Sequence, residues 1–152
     1  MKAVSDRTAK KRLLALADLL DGLPEGKFDF GTWGSVNKSA PAGADALREA
    51  NFCGTTACAL GWAPSLPFAK RLGFKLEVRE ATDPLGRGAG FKYAEFTKNG
   101  TYVSSEDVAE ELFGLGEGAM GYIFHPSVLN RHDESAHGVA SAIRAFVNIR
   151  FG

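Results

Sequence analysis

The sequence predicts an α+β fold, with several short helices packed around one small antiparallel sheet of about three strands. Three observations predict it. Apolar residues recur at helical spacing near both ends of the chain, with Leu13, Leu16, Ala17 and Leu20 at one and Val139 and Ile143 at the other. Phe74, Leu76 and Val78 alternate with Lys75, Glu77 and Arg79 as in a half-buried strand. Asn99-Gly100 is a tight-turn pair between the extended stretches 91–97 and 101–103. With 152 residues and no internal repeat or linker, the expectation is one domain over 1–152.

Taken in order, Ser5 or Asp6 can cap a first helix running to about Asp21, with Leu14 and Leu19 widening its stripe and Gly22 and Pro24 ending it. Phe28 to Trp33 alternates aromatics as a short extended segment. The residues from there to Gly43 read as a loop, and Ala44–Ala50 as a helical turn or two. A central helix is expected from about Thr55 to Trp62, stopped by Pro64 and Pro67, then a short one over Phe68–Leu72 closed by Gly73. Between the first two strands lie Asp83-Pro84 and the loop glycines Gly86, Gly88 and Gly90. Ser104 or Ser105 can cap a helix through Phe113, with Glu106 and Asp107 in its first turn and Gly114 as its stop. A further short helix is expected over Glu117–Phe124. The last runs from about Ser135 to Ile149, with Val139, Ile143, Phe146 and Ile149 or Arg150 along one side.

Composition bounds the function. Lys+Arg 18 balance Asp+Glu 18, so the chain as a whole exerts no long-range pull on nucleic acid or an anionic membrane. No stretch approaches the roughly 18 apolar residues of a membrane span, and the N-terminal apolar run is broken by Asp18 and Asp21, unlike a signal peptide. A cytoplasmic location is expected, where Cys53 and Cys58 stay reduced.

The unusual chemistry lies in Cys53-Gly54-Thr55-Thr56-Ala57-Cys58-Ala59-Leu60-Gly61-Trp62. Gly54, Ala57, Cys58 and Gly61 recur three and four apart, giving a helix one nearly side-chain-free face that another backbone could approach closely. On this reading Trp33, Cys58, Gly61 and Trp62 are structural anchors. A large residue at Gly61 or Cys58 would then overpack the contact at a cost of about 1–3 kcal/mol. Alternatively, Cys53 at a helix start could be a thiolate nucleophile served by a downstream histidine, His125, His132 or His137, with Asn130 or Asp133 orienting it. Papain-like peptidases place an oxyanion-hole glutamine before such a cysteine, and this chain contains no glutamine. A third reading gives Cys53, Cys58 and two histidines to a metal, but the four residues between the cysteines read as part of a helix, where structural zinc sites use a tight knuckle, and His125 and His132 miss the three-to-five spacing of finger histidines. No metal or other cofactor is therefore expected.

Two features bear on nucleic acid. Gly90-Phe91-Lys92-Tyr93-Ala94-Glu95-Phe96 loosely echoes the aromatic strand of RNA-recognition motifs, but the element order does not give their four-stranded sheet, so these rings are expected to pack against helices. Lys2, Arg7, Lys10, Lys11 and Arg12 make the first helix basic at its start. With no glycine-rich loop or interleaved aromatic beside them, they read as a solvated face.

Three segments, Phe28-Asp29-Phe30-Gly31-Thr32-Trp33, the block from Cys53 through Trp62 to Ala63, and Leu112-Phe113-Gly114-Leu115 with Phe124, together resemble a group of small bacterial and phage proteins. These carry an aromatic-Asp-Met-x-x-Trp segment, a Cys-Gly-Thr-x-x-Cys-x-x-Gly-Trp-Ala block and a Phe-Gly-Leu helix end. Phe30 stands where the group has Met, and the stretch between Trp33 and Cys53 is long. The resemblance implies one compact domain and brings no activity with it. The expectation is a non-enzymatic protein-interaction or accessory module of phage or mobile-element origin, with a protein partner. A Cys53 thiol hydrolase is the alternative.

Overall fold

The computed structural model describes residues 4–23, 43, 59–81, 91–116 and 136–152, with the backbone alone at 81 and 91–93. Among these residues lie helices α1 (Asp6–Asp21), α2 (Ala59–Trp62), α3 (Pro67–Arg71), α4 (Ser105–Phe113) and α5 (Ala136–Phe151). The strands are β1 (Phe74–Ala81), β2 (Phe91–Lys98) and β3 (Thr101–Tyr102). The sheet is antiparallel in the order β1-β2-β3, so the α+β expectation and the three-strand meander both hold.

Capping defines the helix ends. Ser5, not Asp6, is the N-cap of α1, its Oγ accepting the Thr8 N–H at 3.2 Å, which leaves Asp6 in the first turn where an acid suits the helix dipole. Ser104 caps α4 in the same way, accepting the Asp107 N–H at 3.1 Å. At the far end of α4, Gly114 adopts φ 65°, and its N–H donates to the Glu110 carbonyl at 2.8 Å. The central helix reaches Trp62 as expected and then tightens into a 3₁₀ turn over Ala63–Ser65, held by the Ser65 hydroxyl donating to the Trp62 carbonyl at 2.7 Å. Pro67 begins α3, where its missing N–H costs nothing.

The inner face of the sheet presents Phe74, Leu76, Val78 and Phe96 to the helices, all buried. They join one hydrophobic cluster with Leu13, Leu16, Ala17 and Leu20 of α1, Leu60 and Trp62 of α2, Val108, Leu112 and Phe113 of α4, and Val139, Ile143 and Val147 of α5. The start of α5 meets the end of α1 through His137 and Asp21, so these two long helices run antiparallel. The buried stripe of α5 is Val139, Ala140, Ile143 and Val147. Ile149 departs from the expected stripe and is 79% exposed. Six residues beyond Ile143 at about 100° each turn it roughly 120° away from that residue and off the buried stripe.

The outer face is polar and ordered by one arginine. The register puts Glu77 directly opposite Glu95. Arg79 bridges the two acids, with Nη1 2.8 Å from Glu77 Oε2 and Nε 2.7 Å from Glu95 Oε1. Nearby on β2, Thr97 is fully buried, and its hydroxyl finds no hydrogen-bond partner among the described residues. At the edge of β1 away from β2, the Gly43 N–H donates to the Val78 carbonyl at 2.7 Å and Lys75 Nζ donates to the Gly43 carbonyl at 2.6 Å.

The β2–β3 turn takes positive φ at both central residues, 52° at Asn99 and 84° at Gly100, as a two-residue hairpin loop requires. The Asn99 N–H donates to the Gly73 carbonyl at 2.9 Å. Gly73 itself has φ +89°, and a Cβ there would lie 2.1 Å from Asn99 Oδ1.

Candidate functional site

Of the residues singled out by sequence, Gly61 and Trp62 lie buried in α2. Trp33, Cys53, Cys58, His125 and His132 lie outside the described residues, as do the expected helix over Glu117–Phe124 and the loop glycines. His137 is described. Its Nδ1 lies 2.9 Å from Asp21 Oδ1 at an exposed junction that also contains Arg144, 2.7 Å from Asp21 Oδ2 and 2.9 Å from Asp18 Oδ1. No group of three or more His, Cys, Asp or Glu side chains suited to a metal occurs among the described residues. No helix among them is long and apolar enough to cross a membrane.

The described site with the most distinctive chemistry is built by α1 and α3. A cleft of about 270 Å³ is lined by Thr8, Lys11, Arg12, Ala15, Phe68 and Arg71. The α1 residues share one side of that helix because they recur three and four apart. Pro67 starts α3 so that Phe68 faces α1 and Arg71 falls in its last turn, where a cation suits the negative end of the dipole.

Arg12 is the centre of this arrangement. Its Nη1 donates to the Leu112 carbonyl at 2.9 Å and, at 3.4 Å, to that of Glu111. Gly114 and Leu115 already satisfy the carbonyls of Glu110 and Ala109, so Arg12 supplies donors for the next two. Its guanidinium carbon also sits 4.9 Å from the centroid of the Phe68 ring, whose position is fixed by an edge-on contact with Phe113 at 6.4 Å. Burial, and next the repulsion of the Arg71 guanidinium, hold Arg12 below the ordinary arginine value, with Glu111 acting in the opposite sense. The Glu111 carboxylate is already paired with Lys98.

Lys11 and Arg71, both exposed, have no carboxylate partner among the described residues. Thr8 Oγ1 accepts from the Ser5 hydroxyl at 2.9 Å, which leaves its own O–H directed elsewhere. Three cations thus converge on a concave surface with an aromatic wall. This refines the expectation of a merely solvated basic face: an aromatic does accompany Lys11 and Arg12, but it comes from Phe68, far along the chain. A second depression of about 260 Å³, lined in part by Phe113, Phe146 and Phe151, carries one acid and one base, Asp6 and Arg150, and so offers no comparable charge.

No protein family's sequence profile matches the chain, and no curated protein or solved structure shows significant similarity to it. The chemistry of the site therefore rests on its own geometry.

Proposed function

We propose that the chain is a non-enzymatic protein-interaction or accessory module of phage or mobile-element origin, acting by surface complementarity. The observation that supports this reading is the α1–α3 cleft, where Lys11 and Arg71 stand beside a partly covered aromatic ring on a rigid helical frame. Arginine and aromatic side chains are enriched at recognition surfaces, and regular elements hold their backbone in place before a partner docks. The origin rests on the resemblance carried by the segments around Trp33, Cys53–Ala63 and Phe113-Gly114-Leu115.

The test is affinity capture by the tagged full chain from cells that naturally make it, compared with a Lys11→Glu/Arg71→Glu double variant. A protein retained in fixed ratio by the natural chain and lost from the variant supports the reading. Rapid and selective alkylation of Cys53 at about pH 6, the mark of an activated thiolate, would overturn it in favour of a thiol hydrolase.

A further inference from the structure

We infer that the cleft between α1 and α3 receives the carboxylate side chains of an acidic segment in a partner protein, with Lys11 and Arg71 holding the charges and Phe68 meeting an adjacent apolar side chain. This rests on the interaction-module reading and specifies the chemistry of the partner.

The division of labour among the three cations is the first argument. Arg12 is committed to the Glu111 and Leu112 carbonyls and to the Phe68 ring, so it shapes the cleft floor and adds a fixed positive charge. Lys11 and Arg71 lie at the surface without an acid among the described residues, free to accept carboxylates from outside. An incoming anion would relieve the repulsion between Arg12 and Arg71. Glu111, the acid among the described residues that acts on Arg12, is already held by Lys98. Thr8 adds a hydroxyl donor on the same rim.

The second argument separates protein from nucleic acid. A single-stranded nucleic acid needs exposed ring faces for stacking and a track of phosphate contacts. Phe68 carries the Arg12 guanidinium over its face and meets Phe113 edge-on, so the ring is a wall and not an open platform. The zero net charge supplies no long-range attraction for a polyanion. A compact anion such as phosphate is also poorly served. The cleft borders the C-terminal turn of α3, whose carbonyl end repels small anions, and Arg71 answers that end with a flexible side chain. Carboxylates on flexible side chains can reach Lys11 and Arg71 while their own backbone stays clear of the helix end.

The test uses the isotope-labelled full chain, titrated at low salt with a blocked peptide of about ten residues in which aspartates and glutamates surround one central leucine. Its controls are the same peptide with amides in place of the acids, inorganic phosphate, and a single-stranded RNA of similar length. The expected result is a set of amide shifts confined to α1 and α3, present only with the acidic peptide. Lys11→Glu/Arg71→Glu should weaken binding by about tenfold or more while leaving the circular dichroism spectrum unchanged and unfolding cooperative, with the melting point lowered by no more than the few degrees that an acid at the end of α3 costs. Arg12 is left intact in this variant because its loss would also uncap α4. Equal binding of the amide peptide, equal binding by the variant, tighter binding of RNA or phosphate at the same amides, or no shift at these helices would each overturn the inference. Capture of a host partner together with no response to the acidic peptide would sink this inference and leave the interaction module standing. Selective alkylation of Cys53 at about pH 6 would instead sink the interaction module and this inference with it, even if the acidic peptide bound.

Discussion

The Arg12 guanidinium donates to the Leu112 carbonyl at 2.9 Å across a sequence separation of 100 residues, and so the first helix finishes the C-terminal cap of the fourth. Local sequence supplies half of that cap, through Gly114 and Leu115. Tertiary contact supplies the rest.

Arg12→Leu should therefore destabilise the protein by about 1.5–3 kcal/mol, the range for losing a partly buried hydrogen bond to a charged group. Arg12→Lys should recover only part of this, because an ammonium lacks the planar fork that serves two carbonyls and a ring face together. Urea denaturation of the three proteins checks the order. Equal stability of all three would show that water caps α4 just as well.

Much of the fold around this contact was legible in the sequence because its signals are local. Ser104, the alternation from Phe74 to Arg79 and the Asn99-Gly100 pair each act within a few residues, and each does what its chemistry predicts. The cleft was not legible. Lys11 and Arg12 look like ordinary helix-surface cations until folding brings Phe68 and Arg71 beside them, and nothing in a linear reading links those positions. The end of the α5 stripe, open in the sequence between Ile149 and Arg150, is settled by angle: Arg150 lies seven residues beyond Ile143 and on its side, whereas Ile149 turns away from the core. An apolar residue near a helix end invites inclusion in the buried face, but its angular position decides.

Thr97→Val should raise stability by about 1–2 kcal/mol. The hydroxyl is fully buried without a partner among the described residues, and a buried polar group left unpaired carries a desolvation cost that the near-isosteric valine removes. Thermal and urea unfolding provide the measurement. A loss of stability would mean that the hydroxyl is hydrogen-bonded in solution.

Gly73→Ala should cost about 1–3 kcal/mol, since φ +89° strains any residue with a Cβ and the added carbon would meet the Asn99 amide. Pairing it with Asn99→Gly should restore only the share due to the collision. The backbone strain remains in the double variant, so full recovery in the unfolding curve would assign the whole effect to the side-chain contact.

Acid should weaken the α1–α5 junction. Hydrogen bonds from His137 first, then from Arg144, hold the Asp21 carboxyl below its ordinary value. A carboxyl with a depressed folded-state pKa contributes its stability above the unfolded value of about 4 and loses it as pH falls through the folded value. The bonds also offset the unfavourable placement of an acid in the last turn of α1. The stability gap between the natural protein and Asp21→Asn should thus be widest above about pH 5 and shrink steadily below about pH 4. A gap independent of pH would show that the charge of Asp21 contributes nothing.

The bare α-carbon of Gly73 also protects the sheet against mispairing. A shift of one residue between β1 and β2 would turn Phe74, Leu76 and Val78 outward, and the hydrophobic core forbids it. A shift of two keeps those residues inside, and by parting Glu77 from Glu95 it would even ease the repulsion between them. What favours the native alignment over this second error is the contact at Gly73, whose carbonyl accepts the Asn99 N–H and whose bare α-carbon leaves room for the Asn99 side chain. A slip in either direction gives up that contact and sets Asn99 against Lys75 or Arg71. The missing side chain at position 73 thus ties one hairpin turn to one alignment of the strands.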